Sequence, residues 1–419
     1  MNDSETQTRI HVAIAGPRMH YSVPRVLQQA GLLGKFFTGN YIGNKPWLLT
    51  VVAALARVAP RSFASGLLGL QAENVPPEAV TSFEWFGIRS RLRQRKHWNT
   101  PEIVKVFADT ARSFNELVIR AGLNDAKAVY GLSGASLEIF QQAKHDGLRC
   151  ILEQIAPPQR IETALVRGES ERWPGWQLRS YAARAADPLA EREEKEWMFA
   201  DCIIGASEFT LNGVAECGVS ETKCRLVPYG IDIGQYQPKL HRVPERGPKT
   251  INVLFVGEVG LRKGVPYLLE ALRKLDSNLV RARLAGPVAL ESNMLDRYGR
   301  VAKFLGPVPR TKVAQLYQWA DVLVFPTVSD GFGLVQIEAL ASGIPVIASR
   351  NCGSVVSDGV NGYIIPVRDS DVIAMAVDRY MSEPGLLAAH KEKAVQLSKQ
   401  FGLDRYGQKL VSAIREVLG

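Results

Sequence analysis

Cysteine is scarce. The five residues, Cys150, Cys202, Cys217, Cys224 and Cys352, are odd in number and never form a CxxC pair. That excludes a disulfide framework, offers no zinc motif and suits a reducing compartment. Long apolar runs are missing too. The strongest stretch, WLLTVVAALARVAPRSFASGLLGL over 47–70, is broken by Arg57, Pro60 and Arg61, whereas a spanning helix needs about 20 apolar residues. The opening MNDSETQTR has no apolar signal core. The expectation is a soluble cytoplasmic protein, either free or at the inner face of the membrane.

Charge of one sign is also lacking. The net charge of +9 is spread thinly: residues 1–240 hold 28 basic and 25 acidic side chains, leaving 23 and 17 for the rest. Such a balance favours anionic partners, whether phosphorylated substrates, lipid surfaces or nucleic acid, and selects none of them. The turn after the first apolar run, AGPRMHYS (15–22), has no G-x-G-x-x-G, which disfavours a dinucleotide-dependent oxidoreductase.

What is present is alternation. At 419 residues the chain exceeds one ordinary core, so two domains are expected. Short apolar runs at 9–16, 128–132, 149–154, 201–207 and 224–230 read as strands. They are interleaved with helical patterns at 23–31, 101–122, 136–147, 189–200 and 208–218. After a proline-rich stretch the alternation restarts, with strands at 251–257, 280–286, 301–306, 321–327 and 345–349. Helices are expected at 265–275, 311–320 and 334–342, and a final helical region over 371–419. Continuous rather than alternating apolar strands imply parallel sheets covered on both faces. The fold class is therefore α/β, with two Rossmann-like domains at 1–235 and 251–395 and a linker at 236–250. A C-terminal helix, 396–419, would pack back on the first domain. In such sheets ligands sit beyond the carboxyl ends of the strands.

Two loops after strands of the second domain stand out. VGEVGLRKGVPYLLEAL (256–272) sets Gly257 and Gly260 before Arg262, Lys263 and a helix N-terminus. Backbone N–H groups, the helix dipole and two cations there suit phosphate, although a solvated turn would look the same. SDGFGLVQIEALASGIPVIAS (329–349) flanks Asp330 with Gly331 and Gly333 and sets Glu338 in an apolar helix. A buried unpaired carboxylate costs several kcal/mol, so Glu338 needs a partner or stays near water. If the helix starts near Leu334, Glu338 lies one turn inside and can accept bonds from two neighbouring hydroxyls, as on a ribose. Taken together the loops suit a diphosphate and a pair of ribose-like hydroxyls, which is what a nucleotide-linked ligand requires.

These stretches, with DCIIGASEFTLNGVAECGVSETKCRLVPYGID (201–232), YQWADVLVFPTVSDGFGLVQIEALASG (317–343) and DGVNGYIIPVRD (358–369), resemble family 4 glycosyltransferases across roughly residues 200–370. The resemblance implies a GT-B fold, two Rossmann-like domains facing across a cleft, and a retaining hexosyltransferase that takes a nucleotide-sugar donor. It implies that Lys263, assisted by Arg262, binds the donor diphosphate and stabilises the leaving group, and that Glu338 holds the ribose. It also implies that Gly331, Phe332, Gly333 and Leu334 meet sugar and phosphates through their backbone, with Gly257 beside them, and that Asp330 faces the sugar. The family usually carries Glu at Asp330, and many members carry Arg at Glu258; Arg262 would then supply that cation. Lys263 and helix N-termini can stabilise a departing nucleoside diphosphate without metal, so no catalytic metal and no cofactor beyond the donor are expected.

The first domain would hold a glycan or lipid-linked acceptor, consistent with surface polysaccharide synthesis. Its first-strand loop lacks the paired glycines of many relatives, and His20, Tyr21 and Arg25 are its acceptor candidates. Glu153, in ILEQIAPPQR (151–160), either orients a sugar or is a plain strand-end carboxylate. WFGIRSRLRQRKHW (85–98) frames Arg89, Arg91, Arg93, Arg95, Lys96 and His97 with aromatics, as either a solvated helix face or a contact for anionic lipid. Nucleic acid is not an expected partner, since neither a reading helix nor stacking aromatics on a sheet are evident. The competing readings are an epimerase or hydrolase on the same fold, and a nucleotide-sugar-binding protein without transfer activity.

Overall fold

The computed structural model describes residues 8–43, 45, 70–72, 74–97, 102–178, 187–238 and 250–419. The apolar stretch 47–69, most of the 236–250 linker, Trp98 and the expected helix start at Pro101 lie outside the described residues.

Seven strands form the first sheet: β1 (Ile10–Ala13), β2 (Leu33–Thr38), β3 (Val80–Ser82), β4 (Ala128–Leu132), β5 (Arg149–Gln154), β6 (Cys202–Gly205) and β7 (Cys224–Leu226). Six form the second: β8 (Ile251–Val256), β9 (Val280–Ala285), β10 (Lys303–Gly306), β11 (Val322–Phe325), β12 (Val346–Ser349) and β13 (Gly362–Ile365). The orders are β3-β2-β1-β4-β5-β6-β7 and β10-β9-β8-β11-β12-β13, and every pairing is parallel. Strands such as Val322–Phe325 and Val346–Ser349 are buried throughout because helices cover both faces. In each sheet the order reverses between two central strands, β1 and β4 or β8 and β11, and that reversal opens a crevice at their carboxyl ends.

The structure adds β2, β3 and β13, which the apolar pattern does not predict. LGKFFT has no β-branched residue before its last position, and VTS is three residues long. Both are legible only from their neighbours in the sheet. A larger departure is the helix Gln159–Arg172, where no element is expected between 155 and 188. Its buried residue is an acid, Glu169, so it carries little apolar periodicity.

That helix belongs to the second sheet as much as to the first. Glu169 is fully buried; its Oε2 accepts from the Tyr267 hydroxyl at 2.7 Å and its Oε1 from Arg368 Nε at 2.5 Å. Beyond it, Trp176 joins the core of the second domain and Gln177 forms an antiparallel bridge to Leu290. Trp173, Trp176 and Tyr267 pack edge to face. Conversely, the C-terminal helix Leu403–Leu418 returns to the first domain: Gly402 bridges Ile231, Gly407 abuts Val26, and Arg225 pairs with Glu416 at 3.0 Å.

Glu169→Ala is expected to cost about 2 kcal/mol, below the 3–5 typical of breaking a fully buried pair because Arg368 is partly exposed. Urea denaturation of the variant checks this, and an unchanged midpoint would contradict it.

Candidate functional site

The loops after β8 and β11 meet at the crevice of the second sheet. The Arg262 carbonyl accepts the N–H groups of Val328 and Ser329 at 3.0 and 3.2 Å, which laces the two loops together. Lys263, buried on the turn Leu261–Lys263, donates Nζ to Asp330 Oδ2, and Asp330 Oδ1 accepts from Phe332 N at 3.1 Å. The structure thus brings the expected Lys263 and Asp330 into direct contact. Burial disfavours both charges and pulls the lysine pKa down. For Asp330 the Lys263 and Arg262 cations outweigh burial and hold the carboxyl below its usual range, so the pair is ionic.

Arg262 turns toward the other domain. Its Nη1 donates to the Ser329 carbonyl at 3.3 Å and lies 3.7 Å from Glu162 Oε2, which also accepts from Ser329 Oγ at 2.9 Å. Glu258 contributes charge to the same neighbourhood. Glu162 is absent from the sequence expectation, because its helix is not legible there.

Glu338 stands where the sequence places it, one turn inside the helix Leu334–Ala341 and half-buried. Tyr317 OH donates to its Oε2 at 2.8 Å, and Oε1 has no hydrogen-bond partner among the described residues. One oxygen is held and the other is open. Gly333 caps the helix at φ 78°, and Gly257 closes β8 with its N–H on Ala285 O. The expectation of a ligand-facing backbone over 331–334 needs correction at Phe332 and at the Gly331 carbonyl. Gly331 O already accepts Ser207 Oγ at 2.6 Å and Thr210 Oγ1 at 3.3 Å. Phe332 N is taken by Asp330, and Phe332 O by Gly353 N and Gln336 Nε2. The Phe332 ring is buried against Tyr229 at 5.4 Å. Gly333 and Leu334 stay at the helix start, where N–H groups lack intrahelical partners.

Two acceptor candidates of the first domain are also corrected. Tyr21 is fully buried, with its hydroxyl on Asn40 O at 2.9 Å and its ring against Phe36 and Tyr41, so it is core. Glu153 is buried and faces side chains rather than a cleft: it accepts from Tyr130 OH at 2.8 Å, Tyr229 OH at 2.6 Å and Arg18 Nε at 3.4 Å. Burial beside this carboxylate pushes both tyrosine hydroxyls far up, which keeps them as donors. His20 is exposed on the first-strand loop, and Arg25 is half-buried in the helix Ser22–Gln29.

The residue that Glu153 orients is Arg18, which the sequence does not distinguish from its neighbours. Arg18 Nη2 donates to Tyr229 OH at 2.7 Å, while Nη1 makes no hydrogen bond among the described residues. Arg18 lines a cavity of about 550 Å³ with Gly16, Met19, Ala135, Ile155 and, from across the cleft, Leu334. The loop lacks the paired glycines of its relatives yet keeps a left-handed backbone: φ is 44°, 52° and 55° at Met19, His20 and Tyr21. Each such residue costs roughly 1–2 kcal/mol, a concentration of strain typical of ligand-facing turns.

Asp369-Ser370-Asp371 has the Asp-x-Asp spacing of metal-binding pairs. Its geometry is that of a helix cap. Asp369 Oδ1 accepts from the N–H groups of Asp371 and Val372 at 3.0 and 2.9 Å, and Asp371 takes Lys274 Nζ at 2.6 Å.

Two doubly wound parallel sheets with loops meeting across a cleft define the GT-B class. Solved structures share it over nearly the whole chain. Anabaena HepE in complex with UDP and glucose is 16% identical with a TM-score of 0.59, covering 98% of this chain and 100% of that one. Sucrose-phosphate synthase from Thermosynechococcus elongatus is 17% identical with a TM-score of 0.63, covering 98% and 99%. Residues 250–383 match the family described as glycosyl transferases group 1. D-inositol 3-phosphate glycosyltransferase 2 of Catenulispora acidiphila is 32% identical over 207 residues, 44% of this chain and 48% of the relative. D-inositol 3-phosphate glycosyltransferase of Kribbella flavida is 29% identical over 220 residues, 47% and 52%. The chain thus spans about half the length of the curated relatives it matches.

A Cβ added to Gly331 would lie 2.4 Å from Ile155 O and 3.0 Å from Ala156 Cα, both backbone atoms of the facing domain. Gly331→Ala should therefore push the domains apart. Small-angle scattering should show a larger radius of gyration than that of the wild type, and an unchanged radius would contradict this. The helix Asp187–Phe199 supplies a pH effect. Glu196 anchors Gly134 N and Ser136 N at 2.6 and 2.8 Å, and Glu193 anchors Gln159 N at 2.8 Å. Burial outweighs these donors and raises the carboxyls to about 8 and about 7. With folded pKa values above the ordinary 4.5, their contribution to stability is complete at lower pH and is lost as pH rises through 7 and then 8. Melting temperatures measured from about pH 5 to about pH 9 should decline, and less steeply in Glu196→Gln.

Proposed function

We propose that the chain is a retaining, metal-independent glycosyltransferase that moves a sugar from a nucleoside diphosphate sugar to a hydroxyl of a glycan or lipid-linked acceptor in surface polysaccharide synthesis. The observation that carries this reading is the pairing of Lys263 with the Asp330 carboxylate at the switch point of the second sheet, on the loop that leads into the helix carrying Glu338 and its open oxygen. A structural neighbour solved with UDP-glucose supports the donor class, and relatives named D-inositol 3-phosphate glycosyltransferase support glycosyl transfer.

In this mechanism the donor diphosphate takes Lys263 from Asp330, which frees the Asp330 carboxylate to accept a bond from a sugar hydroxyl. Glu338 Oε1 accepts from the ribose while Tyr317 keeps Oε2 fixed. As the bond from the anomeric carbon to the phosphate oxygen breaks, its electron pair stays on that oxygen, while the acceptor hydroxyl oxygen bonds the anomeric carbon from the same face and its proton passes to the departing phosphate. Lys263 and the N–H groups at the start of the Leu334–Ala341 helix stabilise the charge, a preorganised contribution worth about 10²–10³-fold per donor in comparable sites. Arg262 replaces the cation that Glu258 does not provide, once the phosphate displaces its contact with Glu162. Arg18, with His20 and Arg25 near it in the chain, serves the acceptor side of the cleft.

Thermal-shift binding against UDP-, GDP-, ADP- and CMP-sugars tests the donor site. One nucleotide class should stabilise the protein, and Glu338→Ala should weaken that stabilisation by about tenfold or more, the loss of a hydrogen-bonded charged partner. Arg262→Ala should weaken it as severely as Lys263→Ala. Normal donor binding in the Arg262 variant removes the assistant role, and no shift with any donor removes the transfer reading.

A further inference from the structure

The helix Glu84–His97 leaves β3, at the edge of the first sheet, from the same carboxyl-end side as the cleft loops. Its inner face is settled by packing: the Phe86 ring lies 5.6 Å from Phe114, and Gly87 is buried against the Asn40 side chain. The opposite face carries Trp85, Ile88 and Leu92, exposed at 87%, 49% and 64%. At 3.6 residues per turn these three share about 60° of arc and form one apolar ridge. Arg91 and Arg95 flank it on one side, Arg89, Arg93 and Lys96 on the other, and all five are exposed. Arg93 pairs with Asp109, whereas Arg89, Arg91, Arg95 and Lys96 have no acidic partner among the described residues. Glu84, the acid of this helix, is engaged by Lys45 and Ser82.

We infer that this ridge docks the first domain onto an anionic lipid bilayer. Exposing a Trp, an Ile and a Leu side by side in water is unfavourable, and a ridge between two rows of cations is complementary to a surface that is apolar within and anionic at its face. The aromatic ring enters the interfacial region, the aliphatic side chains follow it, and the arginines remain at the level of the phosphates. Because the helix starts on the cleft side of the sheet, docking brings the mouth of the acceptor domain to the membrane, within reach of a lipid-linked acceptor. Nucleic acid would engage the cations but gains nothing from the ridge.

The test is co-flotation of the full chain with vesicles of phosphatidylcholine alone and of phosphatidylcholine mixed with phosphatidylglycerol. It uses no sugar donor, so its outcome is separate from that of the transfer reading. The wild type should float with the anionic vesicles only. The Trp85→Ser/Leu92→Ser variant should lose about tenfold or more in partitioning, and Arg89→Gln/Arg95→Gln a similar factor, about fivefold per cation. All three proteins should share one melting temperature, since the substituted side chains are exposed. Failure of the wild type to float with anionic vesicles, equal flotation with both vesicles, or flotation indifferent to Trp85 and Leu92 overturns the inference. RNA binding that depends on the arginines, without vesicle binding, overturns it in favour of a polyanion site.

Discussion

The absence of one methyl group governs how the two halves of this molecule meet. Gly331 passes within contact of the Ile155 and Ala156 backbone, and its carbonyl is captured by Ser207 and Thr210 from the opposite domain. Any larger residue would meet the Ile155–Ala156 backbone, which cannot rotate away. The contact holds one side of the cleft against the other. It seats the loop that carries Asp330 beside the first-strand loop, and it lets Leu334 close the cavity that Arg18 lines.

Buried charge is managed the same way in both domains. A cation is set at a strand's carboxyl end and held by a carboxylate: Lys263 by Asp330, Arg18 by Glu153. Desolvating such a pair is expensive, and removing either member leaves the other uncompensated. The supporting hydrogen bonds therefore matter as much as the pairs. Phe332 N completes Asp330, and two tyrosine hydroxyls complete Glu153. In the second domain the lysine's partner is a carboxylate in a loop laced to its own, an arrangement that an incoming anion can exchange. In the first domain the carboxylate is fully occupied, so it serves to aim the arginine.

Chain order and spatial order part company at two places. The helix Gln159–Arg172 and the residues after it run from the first sheet onto the second, where Trp176 enters the core and Glu169 receives Tyr267 and Arg368. The C-terminal helix runs the other way and meets Val26 and Arg225. Two crossings in opposite directions bind the domains. They also place Glu162 against Arg262, so the first domain touches the phosphate-binding candidates directly.

Ten of the thirteen described strands and the loops at their carboxyl ends were readable from the chain because each depends on local pattern, whereas β2, β3 and β13 were not. Apolar runs, glycine spacing and helix starts need no distant partner to be recognised. Glu338 belongs to that set, since its acid in an apolar helix already demands a partner. Tyr21, Glu153 and Arg18 do not. Tyr21 looks like any loop aromatic until Phe36 and Tyr41 surround it, and Arg18 finds its orienting acid 135 residues away. The helix carrying Glu162 and Glu169 was invisible for a related reason: its buried face meets another domain's polar groups, so it leaves no 3.6-residue apolar period. Local periodicity reports which elements form, whereas the choice of which polar side chain faces the cleft and which sinks into the core is made by contacts between residues far apart in the chain.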